Sequence, residues 1–369
     1  MGEYPPTEMD LEYKPGLADI VERHRKLWGR QLSDGILARL DPTELPFDDP
    51  LQHCPDFERM AAAWEGNYRV RRQVEDDLIP VARVSFGSAA FGGFLGAKVN
   101  FQSGPGWSYP LLERYDQLGD LHYDENNEWI LRQSEACRHF LDIARGKFAL
   151  CETEPMDGLN LVEVLRGGSV YLDVYDHPHE LHRLLQFSVE FNIRLIEMQR
   201  QIIAPALNFS GGVFSMFRIW LPGATPWMSV DTYGQCSPAV FDEFGAPYLQ
   251  QTIDHFGGGW IHLHSSATHL IPLLVQLRGV VGIGIYDDPA APRGFDLLSK
   301  IREMTGDLPL QVDCLGGEFI DGLDQHTLPG GVMYMVRKGI DTVNEANRLM
   351  QRVRAYHAPS GTYTSKQLW

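Results

Sequence analysis

From residue 79 onward the chain repeats one beat: a short apolar, β-branched run, a turn, then a helical pattern. The runs that read as strands are 79–86, 148–152, 213–220, 227–231, 259–264, 280–286, 310–314 and 332–336. Helical periodicity lies between several of them, at 179–203, 238–256, 270–277, 295–305 and 342–356. Ser237-Pro238 reads as an N-cap followed by proline at the first helical position, and Thr342-Val343-Asn344-Glu345 as a capping box. Eight strands alternating with helices predict an α/β chain whose parallel sheet closes into a (β/α)₈ TIM barrel. Ahead of the beat, 17–32 has helical amphipathicity, with Leu17, Ile20, Val21, Leu27 and Trp28 on one side. Proline-bearing 33–56 reads as loop and 56–75 as helix. Residues 1–75 are therefore expected to be an arm and helices packing on the barrel, and 76–369 the barrel itself.

In such a barrel the chemistry lies at the carboxyl ends of the strands. The run Gly257-Gly258-Gly259-Trp260-Ile261-His262-Leu263-His264 puts two histidines there. They stand at i and i+2, so on one strand face both imidazoles project together. Read in the same way, the other strand ends supply Asp157, Asp231, Asp287-Asp288, Asp313-Cys314 and Tyr334. His262, His264 and Cys314 make a candidate zinc set, because imidazole and thiolate are preferred zinc ligands and a fourth position stays open. The alternative is metal-free, with one histidine hydrogen-bonded in the core and the other on the substrate. Asp231, His264 and Asp157 are the candidate catalytic groups. An aspartate at such a place can also simply cap the following turn, and that reading stands beside the functional one for Asp231 and Asp287.

Arg83, Arg218, Trp227, Asp287 and Tyr334 are the expected substrate contacts. Arg218 sits in an aromatic-rich stretch where an unpaired guanidinium would be costly to bury, which suits a carboxylate or phosphate partner. The glycine-rich 87–96 lacks both nucleotide-binding fingerprints, so no nucleotide cofactor is expected. It reads instead as a turn where backbone passes closely, and the long interval 87–147 is expected to fold over the mouth.

Charge narrows the partners. The 49 acidic against 32 basic residues give a formal charge of −17, which disfavours nucleic acid and anionic membrane. Five cysteines without a C-x-x-C pair fit reduced thiols, and the opening residues carry no signal-peptide pattern, so a cytoplasmic protein is expected. A small-molecule substrate is the expected partner. Surface helices of such barrels can also support a homodimer, with no interface specified by the sequence.

The segment Met228-Ser229-Val230-Asp231, then Ser237-Pro238-Ala239-Val240-Phe241-Asp242-Glu243-Phe244 and Pro247-Tyr248, resembles the uroporphyrinogen decarboxylase superfamily. That superfamily shows a Ser-x-Asp strand end, a Ser-Pro-x-x-Phe-x-x-Phe-x-x-Pro helix and a glycine-rich lead into a histidine-bearing strand. Upstream, Leu165-Arg166-Gly167-Gly168 and Leu172-Asp173-Val174-Tyr175-Asp176-His177-Pro178 resemble its Arg-Gly … Asp … Pro stretch. The resemblance implies a (β/α)₈ barrel and two branches of activity. The decarboxylases carry an arginine-rich signature at the first strand, where this chain has only Arg83. The corrinoid-linked methyltransferases bind zinc through His-x-Cys and a distant Cys; here His262 matches the first position and His264 replaces the cysteine. The expectation is a zinc- and corrinoid-linked methyltransferase, with the corrinoid supplied by a partner protein. The alternatives are a decarboxylase of a porphyrinogen-like or other carboxylated substrate, and a non-catalytic tetrapyrrole- or corrinoid-binding protein.

Overall fold

The computed structural model describes residues 10–101, 106–156 and 158–359. Its centre is a parallel sheet, five of whose six strands fall on the apolar runs read from the sequence. We number the strands that matter here β1 Ile36–Leu40, β2 Val81–Arg83, β3 Ala149–Cys151, β4 Gly212–Ser215, β5 Ile219–Pro222, β6 Trp227–Ser229, β7 Gly259–His264, β8 Val280–Tyr286, β9 Leu310–Leu315 and β10 Val332–Lys338. Among the described residues six of them form one sheet in the order β1-β10-β9-β8-β7-β6, every neighbour parallel. β2 and β3 pair parallel with each other.

Two sequence expectations are corrected. The proline-bearing stretch 33–56 is not all loop: Ile36–Leu40 is a strand and lies parallel beside the last one, Ile36 opposite Val332. The run 213–220 is not one strand but an antiparallel hairpin, β4 and β5 turning at 216–218. The architecture is thus α/β with a mostly parallel central sheet, compatible with a barrel-like fold. Among the described residues its ladders do not close an eight-stranded ring.

The open edge of β1 is satisfied by side chains instead. The Asp77 and Asp76 carboxylates accept from the backbone N–H groups of Ala38 and Leu40, each at 2.9 Å. Both acids are buried, and each has a cation: Lys14 at 3.0 Å from Asp76, Arg23 at 2.7 Å from Asp77. Buried carboxylates persist only when paired and hydrogen-bonded in this way.

The interior has a floor made by the first helix, Leu17–Trp28. It buries Leu17, Ile20, Val21, His24, Leu27 and Trp28, the face that the sequence periodicity marks. Each large apolar side chain so buried contributes about 1.5–3 kcal/mol. Trp28 meets Trp260 of β7 edge to face, centroids 6.3 Å apart. The caps act as their residues suggest, with Ser237 accepting from Val240 N–H and Thr342 from Glu345 N–H. Gly257, with φ of 77°, ends helix Ala246–Phe256 in the left-handed conformation and delivers the chain into β7. Over the mouth lie parts of the 87–147 interval, where Ser88, Ala89, Gly106, Trp107, Ser108 and Pro110 wall a cleft. The glycine run is a short helix, Ala89–Phe94, rather than a turn. A Cβ on Gly92 would stand 2.5 Å from that of Ser108, so the close approach expected there is present. No helix among the described residues is long and apolar enough to cross a membrane.

Candidate metal centre and its cavity

Strand periodicity turns Trp260, His262 and His264 to the same side of β7. The two imidazoles converge there, Nε2 to Nε2 at 3.2 Å. Asp231, two residues beyond β6, completes the group: its Oδ1 is 3.7 Å from His262 Nε2 and 3.6 Å from His264 Nε2. One donor atom from each of the three lies within 4.8 Å of the others. Four ligands at about 2.0–2.1 Å around a tetrahedral zinc stand roughly 3.3–3.4 Å apart, so this spacing suits such an ion. A further observation points the same way. Asp231 Oδ1 is closed off from solvent without a hydrogen bond. An orphaned carboxylate oxygen facing two imidazole nitrogens is an arrangement that a cation would satisfy.

The surroundings fix each of these side chains. Asp288 Oδ1 lies 2.7 Å from His264 Nδ1, so that nitrogen carries the proton and the lone pair is left on Nε2. Ser266 Oγ donates to the other Asp288 oxygen. Burial works to raise the Asp288 carboxyl, but the hydrogen bonds from Ser266 and His264 outweigh it and hold the group below the usual range. His262 stacks on Phe217, centroids 5.3 Å apart and planes 17° from parallel, with Tyr286 at 4.6 Å on another side. Burial, and then the charge of His264 and Arg337, push its imidazole down to about 3. His262 is therefore neutral, as a ligand must be. Burial and the Asp288 charge raise the Asp231 carboxyl, against the opposing pull of His264.

The group opens on an inner cavity of about 390 Å³. Its wall includes Asp231, His262, Trp227, Tyr286, Glu154 and four arginines: Arg39, Arg83, Arg218 and Arg337. An outer cleft of about 550 Å³ shares Ser88, Met156, Asn160 and Asp231 with it, so the two are continuous toward solvent.

The sequence-predicted residues separate clearly. His262, His264 and Asp231 come together, and Arg83, Arg218 and Trp227 line the cavity beside them. The Asp231 side chain makes no capping hydrogen bond to the turn that follows, so the plain capping role does not account for it. Asp287 does behave as a structural residue, accepting from Gly294 N–H and pairing with Arg293 at 2.9 Å.

Cys314 is not part of the group, which corrects the expected ligand set. On β9, Gln311 reaches inward to Tyr286 at 3.0 Å and Asp313 to Arg337 at 2.6 Å. The period of two then sends Cys314 to the opposite face, where it is buried and its thiol is pushed up by burial. Tyr334 is displaced by the same logic. It is fully buried, its hydroxyl donates to Pro329 O at 3.0 Å, and its ring packs on Phe319 and Phe295. Asp157 lies outside the described residues.

Sequence reasoning placed Asp288 at a strand end without giving it a role, and passed over Arg39 and Arg337. Arg39 was hidden in a stretch read as loop, and Arg337 lies one residue beyond the run read as the last strand.

No family model matches the chain, and no curated protein matches it. Among solved structures it is similar to a methyltransferase from Methanosarcina mazei. The TM-score is 0.58 over 91% of this chain and 98% of that one, at 11% sequence identity. The likeness is one of fold. It covers both chains nearly end to end.

Proposed function

We propose that this chain is a zinc-dependent methyltransferase acting on a small molecule at the mouth of a uroporphyrinogen decarboxylase-like barrel. The observation that carries the reading is the convergence of Asp231 Oδ1 with the Nε2 atoms of His262 and His264 at separations suited to one tetrahedral ion. Asp231, His262 and His264 would hold the metal. A bound zinc supplies Lewis acidity, lowering the pKa of a thiol or hydroxyl acceptor so that it is a nucleophile at neutral pH.

The chain's own residues do the rest. Asp288 keeps the His264 proton on Nδ1 and its lone pair on the ligating side. Phe217 and Tyr286 fix the His262 ring and keep that side of the site apolar. The inner cavity takes the acceptor, and the outer cleft gives the methyl donor a path to it. That donor, on the resemblance, is the methyl-corrinoid of a partner protein. Two nitrogens and one carboxylate make a harder donor set than one containing cysteine thiolate, so an oxygen nucleophile is accommodated as well as a thiol.

Two measurements on this protein test the reading. After chelation and reloading, one zinc per chain is expected in the wild type and none in His264→Ala. The zinc-loaded protein should demethylate free methylcobalamin in the presence of a small thiol or hydroxyl acceptor, followed by the cobalamin absorbance. Wild-type protein that takes up no zinc, or zinc-loaded protein that leaves methylcobalamin intact with every acceptor class, would sink it.

A further inference from the structure

The hairpin between β4 and β5 has a three-residue loop, Met216-Phe217-Arg218. Arg218 N–H donates to Ser215 O at 2.9 Å, and Arg218 then takes φ of 61°. A turn followed by a left-handed residue is a common three-residue hairpin connection, and its last position is ordinarily glycine. Here an arginine occupies it. A large side chain held in that conformation is strained, and such strain collects where function requires a side chain at a particular point.

The strained residue also lacks a direct carboxylate partner among the described residues, though Asp41 and the Tyr68 hydroxyl favour its charge from nearby. Of the four guanidinium groups lining the inner cavity, three have carboxylate partners. Arg39 meets Asp41 at 2.7 Å, Arg83 meets Glu154 at 3.2 Å and Arg337 meets Asp313 at 2.6 Å. Arg218 has no ion pair among the described residues. Its Nη1 donates to Met216 O at 3.0 Å, and its guanidinium carbon lies 5.3 Å from the centroid of the Trp64 ring. Burial depresses its pKa, with no neighbouring acid restoring it fully. A partly buried guanidinium with spare donors facing a cavity calls for an anion, and its planar fork matches a carboxylate.

The same loop places that anion relative to the metal centre. Phe217, the residue before Arg218, stacks on His262. Arg218, His262 and Asp231 line the same cavity, so a group held by Arg218 shares that space with the candidate metal centre.

We propose that Arg218 anchors the carboxylate of a small carboxylic acid substrate in the inner cavity, leaving the far end of that substrate at the Asp231–His262–His264 group. The volume of about 390 Å³ stands at the low end for ligand sites, which favours a compact acid over a tetrapyrrole. The proposal rests on the metal-dependent reading only for which end of the ligand reacts.

Arg218→Gly is the informative variant, because glycine is the natural resident of a left-handed loop position and the hairpin should survive the change. Acetate, succinate, glutarate and inorganic phosphate would be titrated calorimetrically into zinc-loaded and chelated protein. At least one carboxylate is expected to bind both forms of the wild type, more tightly than phosphate. Arg218→Gly should weaken it roughly 10-fold or more without lowering the melting temperature. The same carboxylate should protect Arg218 from phenylglyoxal, read by peptide mass spectrometry. Equal affinity in wild type and Arg218→Gly overturns the proposal, and so does a melting temperature that falls along with binding. Absence of any carboxylate binding or protection in the wild type, or tighter binding of phosphate, also overturns it. Carboxylate binding that appears only with zinc would place the anion on the metal and reject the Arg218 anchor. Binding that persists in a protein taking up no zinc would reject the metal reading and leave the anchor standing.

Discussion

His264 Nδ1 lies 2.7 Å from an Asp288 carboxylate oxygen, at the point where β7 ends and β8 has just ended beside it. The parallel register places His264 opposite Tyr286, so Asp288, two residues farther on, arrives level with the imidazole. A carboxylate behind a ligating histidine fixes the tautomer and raises the basicity of the ligating nitrogen. Asp288→Asn should therefore lower zinc affinity about 10–100-fold while retaining one site per chain. Competition against a chromophoric chelator measures it, and an unchanged affinity would remove Asp288 from the site.

The separation of Cys314 from the histidines gives a second prediction. Cys314→Ala should leave zinc stoichiometry unaltered and cost about 1 kcal/mol of stability from the small cavity left behind. Asp231→Ala should instead abolish stoichiometric zinc with little effect on the melting temperature. Metal analysis beside a thermal melt separates the two, and the opposite pattern would restore the thiolate to the ligand set.

Zinc affinity should depend on pH in a way set more by Asp231 than by His262. The His262 imidazole, pushed down to about 3, sheds its proton far below neutrality and offers no competition to the metal near pH 6.5. The Asp231 carboxyl is raised, so its proton competes at a higher pH than that of an ordinary aspartate. Affinity should thus fall as the solution is acidified, and Asp231→Asn should lose part of that slope. Zinc titrations across pH 5 to 7.5 would show it.

Acid stability should report on His24. It is fully buried, with Nε2 2.8 Å from Asp77 O, and burial pushes its pKa down to about 4. An unfolded histidine titrates near 6.5. Between those values the unfolded chain binds the extra proton, so stability falls as pH drops from about 6.5 toward about 4. The contribution is at most about 3 kcal/mol. Chemical denaturation of His24→Asn should give a flatter pH dependence over that window, and an identical slope would refute the assignment.

Packing beneath the site should be intolerant. A Cβ on Gly284 would stand 2.3 Å from the Trp260 ring and 3.0 Å from that of Tyr286, both next to His262. Gly284→Ala should cost about 1–3 kcal/mol through overpacking. If the rings are pushed onto His262, it should weaken zinc binding as well.

Much of this was written locally. The pairing of His262 with His264 on one strand face follows from the period of two, and β7 and β8 span the residues that their apolar runs mark. The helix faces and the caps at Ser237 and Thr342 were legible for the same reason, because each depends on residues a few positions apart. Ile36–Leu40 was not legible, since nothing near it in sequence reveals that its partner is the strand at 332–338, some 300 residues away. That Asp231, and not Cys314, joins the two histidines was also beyond local pattern. It depends on which face of β9 looks inward and on how β6 and β7 align, and the tertiary register decides both. The sequence alone determined which side chains share a strand face. Only the fold decided which faces meet.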